Sequence, residues 1–405
     1  MKKILPIFTI VFIGFLGFAL PFPIFPPMLL VPELGFLPAD VSNHSRVILL
    51  GIMFCFYPLG QLFGGPFFGQ LSDRYGRKKI LIISLIFTFF AYLATALSVT
   101  YKNIPFLMLS RFVCGICEGN IVIATSAMAD ISNPETKGKN FGYLTFASSF
   151  GFIIGPLIGG ELANPKWGFN YSTPFWGVSL FVLLTLLVVI FWFKETGIIE
   201  AKTKLNLFET FSRLYKGLTI PKLRAIYILN FFIYFGIFCY FNFTPLFLVD
   251  AFSFGTSKLA LFTAYEAIPI CIASLFLVGP VSKVLTPRMA TAFSGLFFGV
   301  VLFIMVLPDN PYALWITLFF LGIFIGVGFT NMAVMVSNRT DERNQGMALG
   351  INQSVQVLSE ALSALFGGFL GIVMASFPLL VGGAVTIIAS LILTLKRFKE
   401  KILLD

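Results

Sequence analysis

Twelve apolar stretches run through these 405 residues, each close to the length that spans a bilayer, with short polar segments between them. A membrane helix needs roughly 20 predominantly apolar residues. The stretches that qualify are 5–30, 47–71, 80–99, 104–130, 140–162, 173–193, 223–249, 258–280, 289–307, 312–337, 345–370 and 377–395. Inside lipid no water satisfies backbone N–H and C=O groups, so such segments fold as helices. The chain is 58% hydrophobic and only 11% charged, too apolar for a water-soluble domain, so the lipid bilayer is its main solvent. The expectation is an all-α integral membrane protein with twelve transmembrane helices. The first stretch follows Lys2 and Lys3, as a signal peptide would. It is too long for one, and no small-residue cleavage site follows, so it reads as a retained helix.

An even number of spans puts both termini on one side, and positive charge decides which side. Of the 28 Lys and Arg residues, only Arg46, Lys102, Lys166 and Lys258 fall in the outer segments, and Arg111 lies within a span. The rest fall in inner segments, which predicts cytoplasmic N- and C-termini in a multi-pass protein of the cell (inner) membrane. The net charge of +10 is thus a topology signal and does not point to nucleic acid.

Cofactor and metal chemistry find no support. Cys55, Cys114, Cys117, Cys239 and Cys271 all lie in apolar spans and are odd in number, which speaks against a disulfide framework. Cys114 and Cys117 read as small packing residues, and no metal-ligand grouping is visible. No phosphate-binding G-x-x-x-x-G-K-[ST] loop exists, so ATP is not the expected driver. The lone His44 falls in the first outer loop with no nucleophile beside it, which argues against a membrane-embedded enzyme. A membrane sensor or structural protein is a further class.

Between the second and third stretches lies Gly69-Gln70-Leu71-Ser72-Asp73-Arg74-Tyr75-Gly76-Arg77-Lys78-Lys79. Through Leu81 its pattern is G-x-L-S-D-R-x-G-R-K-x-x-L, which closely resembles the loop signature of the major facilitator superfamily of transporters. The resemblance implies two pseudo-symmetric six-helix halves that work by alternating access, usually as a monomer. The halves would be residues 1–194 and 222–405. The segment 195–221 would be a cytoplasmic linker whose Leu205–Tyr215 stretch has its apolar residues at helical spacing, as in an interfacial helix. Phe22-Pro-Ile-Phe25 and Thr244-Pro-Leu-Phe247 occupy matching places in the halves, and Gly279–Arg288 is a decayed copy of the charged loop. The resemblance further implies that Gly69, Asp73, Arg74, Gly76 and Arg77, with Asp130 as acidic partner, form a charge cluster that latches the cytoplasmic side.

Two further motifs carry the resemblance. Gly151-Phe-Ile-Ile-Gly155-Pro156-Leu-Ile-Gly159-Gly160 resembles the G-x-x-x-G-P-x-x-G-G of the drug/proton antiporter branch, which includes multidrug and tetracycline exporters. Its glycines at i, i+4 and i+8 line one helix face, and Pro156 bends the helix. Arg111-Phe-Val-Cys114-Gly115-Ile-Cys117 resembles the family's R-x-x-Q-G-x-G, but Cys114 replaces the Gln and Cys117 the second Gly.

Glu118, Glu266 and Glu360 lie mid-span, where a charge costs several kcal/mol. They are the candidates for proton or substrate coupling, with structural polar contacts as the alternative. Asn352, Gln356 and Glu360 fall four apart, in one stripe of a helix. A rise of about 1.5 Å per residue puts Arg111 about 10 Å from Glu118, too far for a direct pair. Arg111 either reaches to the outer surface or faces a cavity. Asn230, Asn242 and Asn331 are further cavity candidates, or else helix–helix hydrogen bonds. Phe231, Phe232, Phe235, Phe238 and Phe241 could line a greasy cavity or face lipid. The sum is a proton-coupled antiporter exporting a small organic, drug-like molecule. The alternative is an importer or facilitator of a metabolite or siderophore-like chelate.

Overall fold

The computed structural model describes residues 4–133, 135–197, 219–308, 310–340 and 345–395, with the isolated positions 212 and 215. Most of these residues are helical, with no β-strand among them. The helices are α1 (Leu5–Ala19), α2 (Phe25–Leu30), α3 (Asn43–Tyr75), α4 (Arg77–Thr100), α5 (Ile104–Cys117), α6 (Gly119–Asp130), α7 (Lys137–Leu162) and α8 (Thr173–Trp192). They continue with α9 (Pro221–Phe252), α10 (Thr256–Ile272), α11 (Val278–Val284), α12 (Pro287–Met305), α13 (Leu314–Ser337), α14 (Gln345–Leu370) and α15 (Phe377–Thr394). The expected linker helix, Leu205–Tyr215, apart from Ser212 and Tyr215, and the charges Lys2, Lys3, Lys202, Lys204, Arg343 and Lys396–Lys401 lie outside the described residues.

Among the described residues, ten helices are long and apolar enough to cross a bilayer. The other two expected stretches take different forms. Residues 5–30 divide into α1 and α2 across a turn that holds Pro21 and Pro23. Proline there removes backbone donors that a continuous helix needs. Residues 345–370 form one continuous helix, α14, whose Gln, Asn, Ser and Glu residues make it too polar to qualify by hydropathy. Two of the ten spans are interrupted. α5 and α6 meet at Glu118, and α10 passes into α11 through a π-helical turn, Ala273–Leu277, just after Pro269.

The chain groups into two compact units. One comprises Met1–Val41, Phe56–Glu209 and Gly255–Ala264, the other Ser42–Cys55, Thr210–Phe254 and Tyr265–Asp405. In the first unit α1 packs chiefly on α7, and α4 on α8 and α5. The predicted glycine face of α7 makes the first of these contacts. A Cβ on Gly151 would stand 2.5 Å from the Phe12 carbonyl oxygen, one on Gly155 2.5 Å from that of Leu16, and one on Gly159 2.7 Å from that of Leu20. Without side chains the two backbones approach closely and gain dispersion contacts, the main source of helix association in lipid. Gly160 faces a different neighbour, Thr256 and Ala260 in the first turns of α10.

In the second unit α9 packs on α14 and α15, and α12 on α13 and α15. Gly322 and Gly326 of α13 accommodate the irregular part of the α10–α11 span. A Cβ on Gly322 would stand 2.9 Å from the Glu266 carbonyl oxygen, and one on Gly326 2.5 Å from that of Ile270.

Candidate functional site

Glycine also sets up the polar centre of the first unit. Gly64 of α3 lies against the Ile116 backbone, and Gly115 of α5 against the carbonyl of Tyr57. This close crossing of α3 and α5 brings Tyr57 alongside Arg111 and Glu118. The Tyr57 hydroxyl donates to Glu118 Oε2 at 2.5 Å. The Arg111 guanidinium carbon lies 4.5 Å from the Tyr57 ring centroid and 5.8 Å from that of Tyr92. Such stacking is cation–π attraction, which strengthens when water is excluded.

Arg111 is 2% exposed and lies over these rings rather than extending to a surface, and its Nη1 has no hydrogen-bond partner. Glu118 is half-buried. Its Oε1 would stand 3.1 Å from a Cβ on Gly14, so glycine in α1 leaves room for the carboxylate. The Phe18 ring lies 5.6 Å from Tyr57, 5.5 Å from Phe22 and 6.1 Å from Phe152. A carboxylate with one open side, an aromatic wall and a buried cation share one small region of the unit.

The second unit holds the other two mid-span carboxylates. Glu266 is 4% exposed and accepts the Tyr240 hydroxyl at 2.6 Å. Glu360 is buried in α14 with the thiol of Cys55 near it. Asn352 receives the Asn230 amide at 2.8 Å and donates to the Tyr234 hydroxyl at 3.1 Å. Asn242 donates to Ser363 at 3.3 Å. These bonds tie α9 to α14, so Asn230, Asn242 and Asn352 act as helix–helix glue in this arrangement. Asn331 donates to the Val327 carbonyl of its own helix. Gln356 is half-buried on the face shared with Asn352 and Glu360. Among the phenylalanines of α9, Phe238 pairs with Phe241 and with Phe329 of α13.

The charged loop forms a third cluster, wholly within the first unit. Gly76 has φ 94° and ψ 144°, a conformation open in practice to glycine alone. It turns the chain from α3 into α4 and aims Arg77 at Asp130. The two form an ion pair, with a second contact from Arg77 Nη2 to Asp130 Oδ1 at 3.4 Å. Asp73 lies 3.4 Å from Arg77 Nη1. Arg74 is not part of this group and stacks on Tyr75 instead, while Gly69 packs near Val122.

Sequence reasoning missed Glu195. Its carboxylate accepts the backbone N–H groups of Arg77 and Lys78, the first two residues of α4, at 2.9 and 3.0 Å. It also accepts those of Thr196 and Gly197, and the Thr196 hydroxyl donates to Asp130 at 3.2 Å. Partial burial pushes the Glu195 carboxyl up, but four backbone donors outweigh it and hold the group below the usual carboxylate range. The one available signal was a carboxylate just past the end of the 173–193 stretch. In the decayed copy, Arg288 donates to the carbonyls of Leu393 and Leu395 instead.

Comparison with known proteins agrees with this architecture. The family model described as Major Facilitator Superfamily matches residues 7–265 and 226–402. Multidrug resistance protein 2 of Bacillus subtilis (strain 168) is 26% identical over 386 residues, covering 93% of this chain and 91% of its own length. Quinolone resistance protein NorA of Staphylococcus aureus (strain COL) is 25% identical over 404 residues, covering 98% and 97%. Among solved structures, that of a D-xylose-proton symporter has a TM-score of 0.74 at 16% identity and covers 97% of each chain, a likeness of fold. With its charged loop, its glycine-faced helix and a family match reaching almost end to end, the chain belongs to the Major Facilitator Superfamily, whose members are transporters and not enzymes.

Proposed function

We propose that this transporter is a proton-coupled antiporter that exports small, drug-like organic molecules by alternating access, with twelve spans and both termini cytoplasmic. The observation that carries the reading is Glu118. It is a carboxylate within a span, half-buried and hydrogen-bonded to Tyr57, whose ring adjoins that of Phe18 and through it Phe22 and Phe152. A carboxylate there can bind a proton or, once ionised, attract a cationic or polar substrate, but not both at once. That exclusion is the minimum that exchange requires. The aromatic wall suits the apolar body of such a substrate. Two full-length relatives whose names denote multidrug and quinolone resistance support export. In this reading the Asp73–Arg77–Asp130 cluster is the cytoplasmic latch, because charges at a water boundary can pair and rehydrate at a cost of about a few kcal/mol.

Purified protein in liposomes with an imposed pH gradient tests this directly. Fluorescent dyes and quinolones should move against the proton gradient and stop moving when it is collapsed. Movement in the same direction as protons would indicate a symporter, and movement indifferent to the gradient a facilitator.

A further inference from the structure

Two opposite charges that would attract strongly inside a membrane, Arg111 and Glu118, both touch one side chain here, that of Tyr57. Seven residues separate Arg111 and Glu118 in sequence. The helix break at Glu118 and the length of both side chains would permit an approach if nothing held them. Tyr57 engages each: its hydroxyl donates to Glu118 and its ring face carries the Arg111 guanidinium. Arg111 keeps an unpartnered Nη1, although direct pairing with a carboxylate would satisfy it.

We infer that Tyr57 is the positioning residue of this site, holding Glu118 with its hydroxyl and Arg111 with its ring, so that the carboxylate stays available to a proton or substrate instead of closing on the arginine. The inference rests on the proposed coupling role of Glu118. The surroundings leave Tyr57 as the group that can do this. Facing Glu118 are Tyr57 from α3, Arg111, Cys114 and Cys117 from α5, and, beyond the guanidinium, Tyr92 from α4. α1 presents Gly14 there and has no titratable side chain along Leu5–Ala19. Tyr92 and Cys114 hydrogen-bond Arg111 as well, but Tyr57 is the group that touches both charges, since neither of the others makes a hydrogen bond to Glu118. A proton that binds the carboxylate converts the anionic acceptor of the Tyr57 hydroxyl into a neutral acid. That weakens the bond to the Tyr57 hydroxyl, while the ring keeps its contact with Arg111.

Labelling with dicyclohexylcarbodiimide, which adds to protonated carboxyl groups, reads Glu118 without substrate or gradient. The full-length protein in detergent is labelled at a series of pH values, and modification of the Glu118 peptide is followed by mass spectrometry. Glu118→Gln provides the blank. In Tyr57→Phe, which loses only the hydroxyl, Glu118 should label roughly tenfold faster at a given pH, the factor that one charge-assisted hydrogen bond supports. In Tyr57→Leu, which loses hydroxyl and ring together, Arg111 closes on Glu118, holds it ionised, and labelling falls back below that of Tyr57→Phe. Should the leucine variant aggregate, Tyr57→Met offers a longer, more adaptable side chain with the same two losses. Equal labelling of wild type and Tyr57→Phe overturns the inference. So does faster labelling in the leucine or methionine variant than in the phenylalanine one, the order that simple loosening of the packing would give. Either failure removes the role of Tyr57 and leaves proton-driven export to be judged by the liposome experiment.

Discussion

The carboxylate of Glu195 accepts the backbone N–H of Arg77 at 2.9 Å, across 118 residues of sequence. It thereby caps the first turn of α4 in place of the usual side chain at the helix start, where Gly76 has none to offer. A negative charge at a helix N-terminus is favourable, and this one also anchors the segment after α8 to the α3–α4 turn that carries Asp73 and Arg77, beside Asp130 of α6.

Glu195→Gln should lower stability by about 1 kcal/mol near neutral pH, the scale of a helix cap. The sign of the pH dependence follows from the depressed value of the carboxyl. Its contribution is complete above the unfolded carboxylate value and is lost as pH falls through the lower, folded value. Thermal unfolding in detergent should therefore show wild type and variant converging toward acid pH. A gap that widens on acidification would contradict the cap.

Asp73→Asn should reduce transport several-fold while expression and membrane insertion stay normal. Asp73 has a half-exposed side chain, and exposed pairs contribute at most about 1 kcal/mol, so the loss belongs to gating and not to folding. Wild-type flux at matched expression would exclude a latch role.

Glu118→Gln and Glu266→Gln should separate. Both carboxylates accept a tyrosine hydroxyl, but Glu118 is half-buried whereas Glu266 is 4% exposed. Replacing Glu118 should abolish the response of flux to pH. Replacing Glu266 should leave that response in place, since glutamine still accepts from the buried Tyr240 hydroxyl. Liposome flux across a pH series distinguishes them. An unchanged pH response in these variants and in Glu360→Gln would rule out carboxylate coupling altogether.

Gly64→Ala should damage the site from a distance. The added Cβ would fall on the Ile116 backbone, which cannot move aside as a flexible side-chain tip can. Overpacking of this kind costs about 1–3 kcal/mol or more, and it would push Tyr57 away from Arg111. A lower unfolding temperature, together with carbodiimide labelling of Glu118 slower than in Tyr57→Phe, is the expected pair of results.

The spans were legible because apolar length is a local property, and each stretch meets the bilayer whatever its neighbours do. The charged loop, the glycine face of α7 and the three mid-span carboxylates were legible for the same reason, since each stands out against its own surroundings. Tyr57 and Tyr240 were not. In a chain with 51 Phe and 12 Tyr, one more aromatic carries no mark until a helix crossing brings its hydroxyl to a carboxylate. Gly14 and Glu195 were hidden likewise, because their partners lie across the fold. The sequence alone determined which segments enter lipid and which charges they carry with them. Only the tertiary structure decided which of those charges is stacked, capped or left open, because partner choice in a membrane depends on where glycine lets two helices touch.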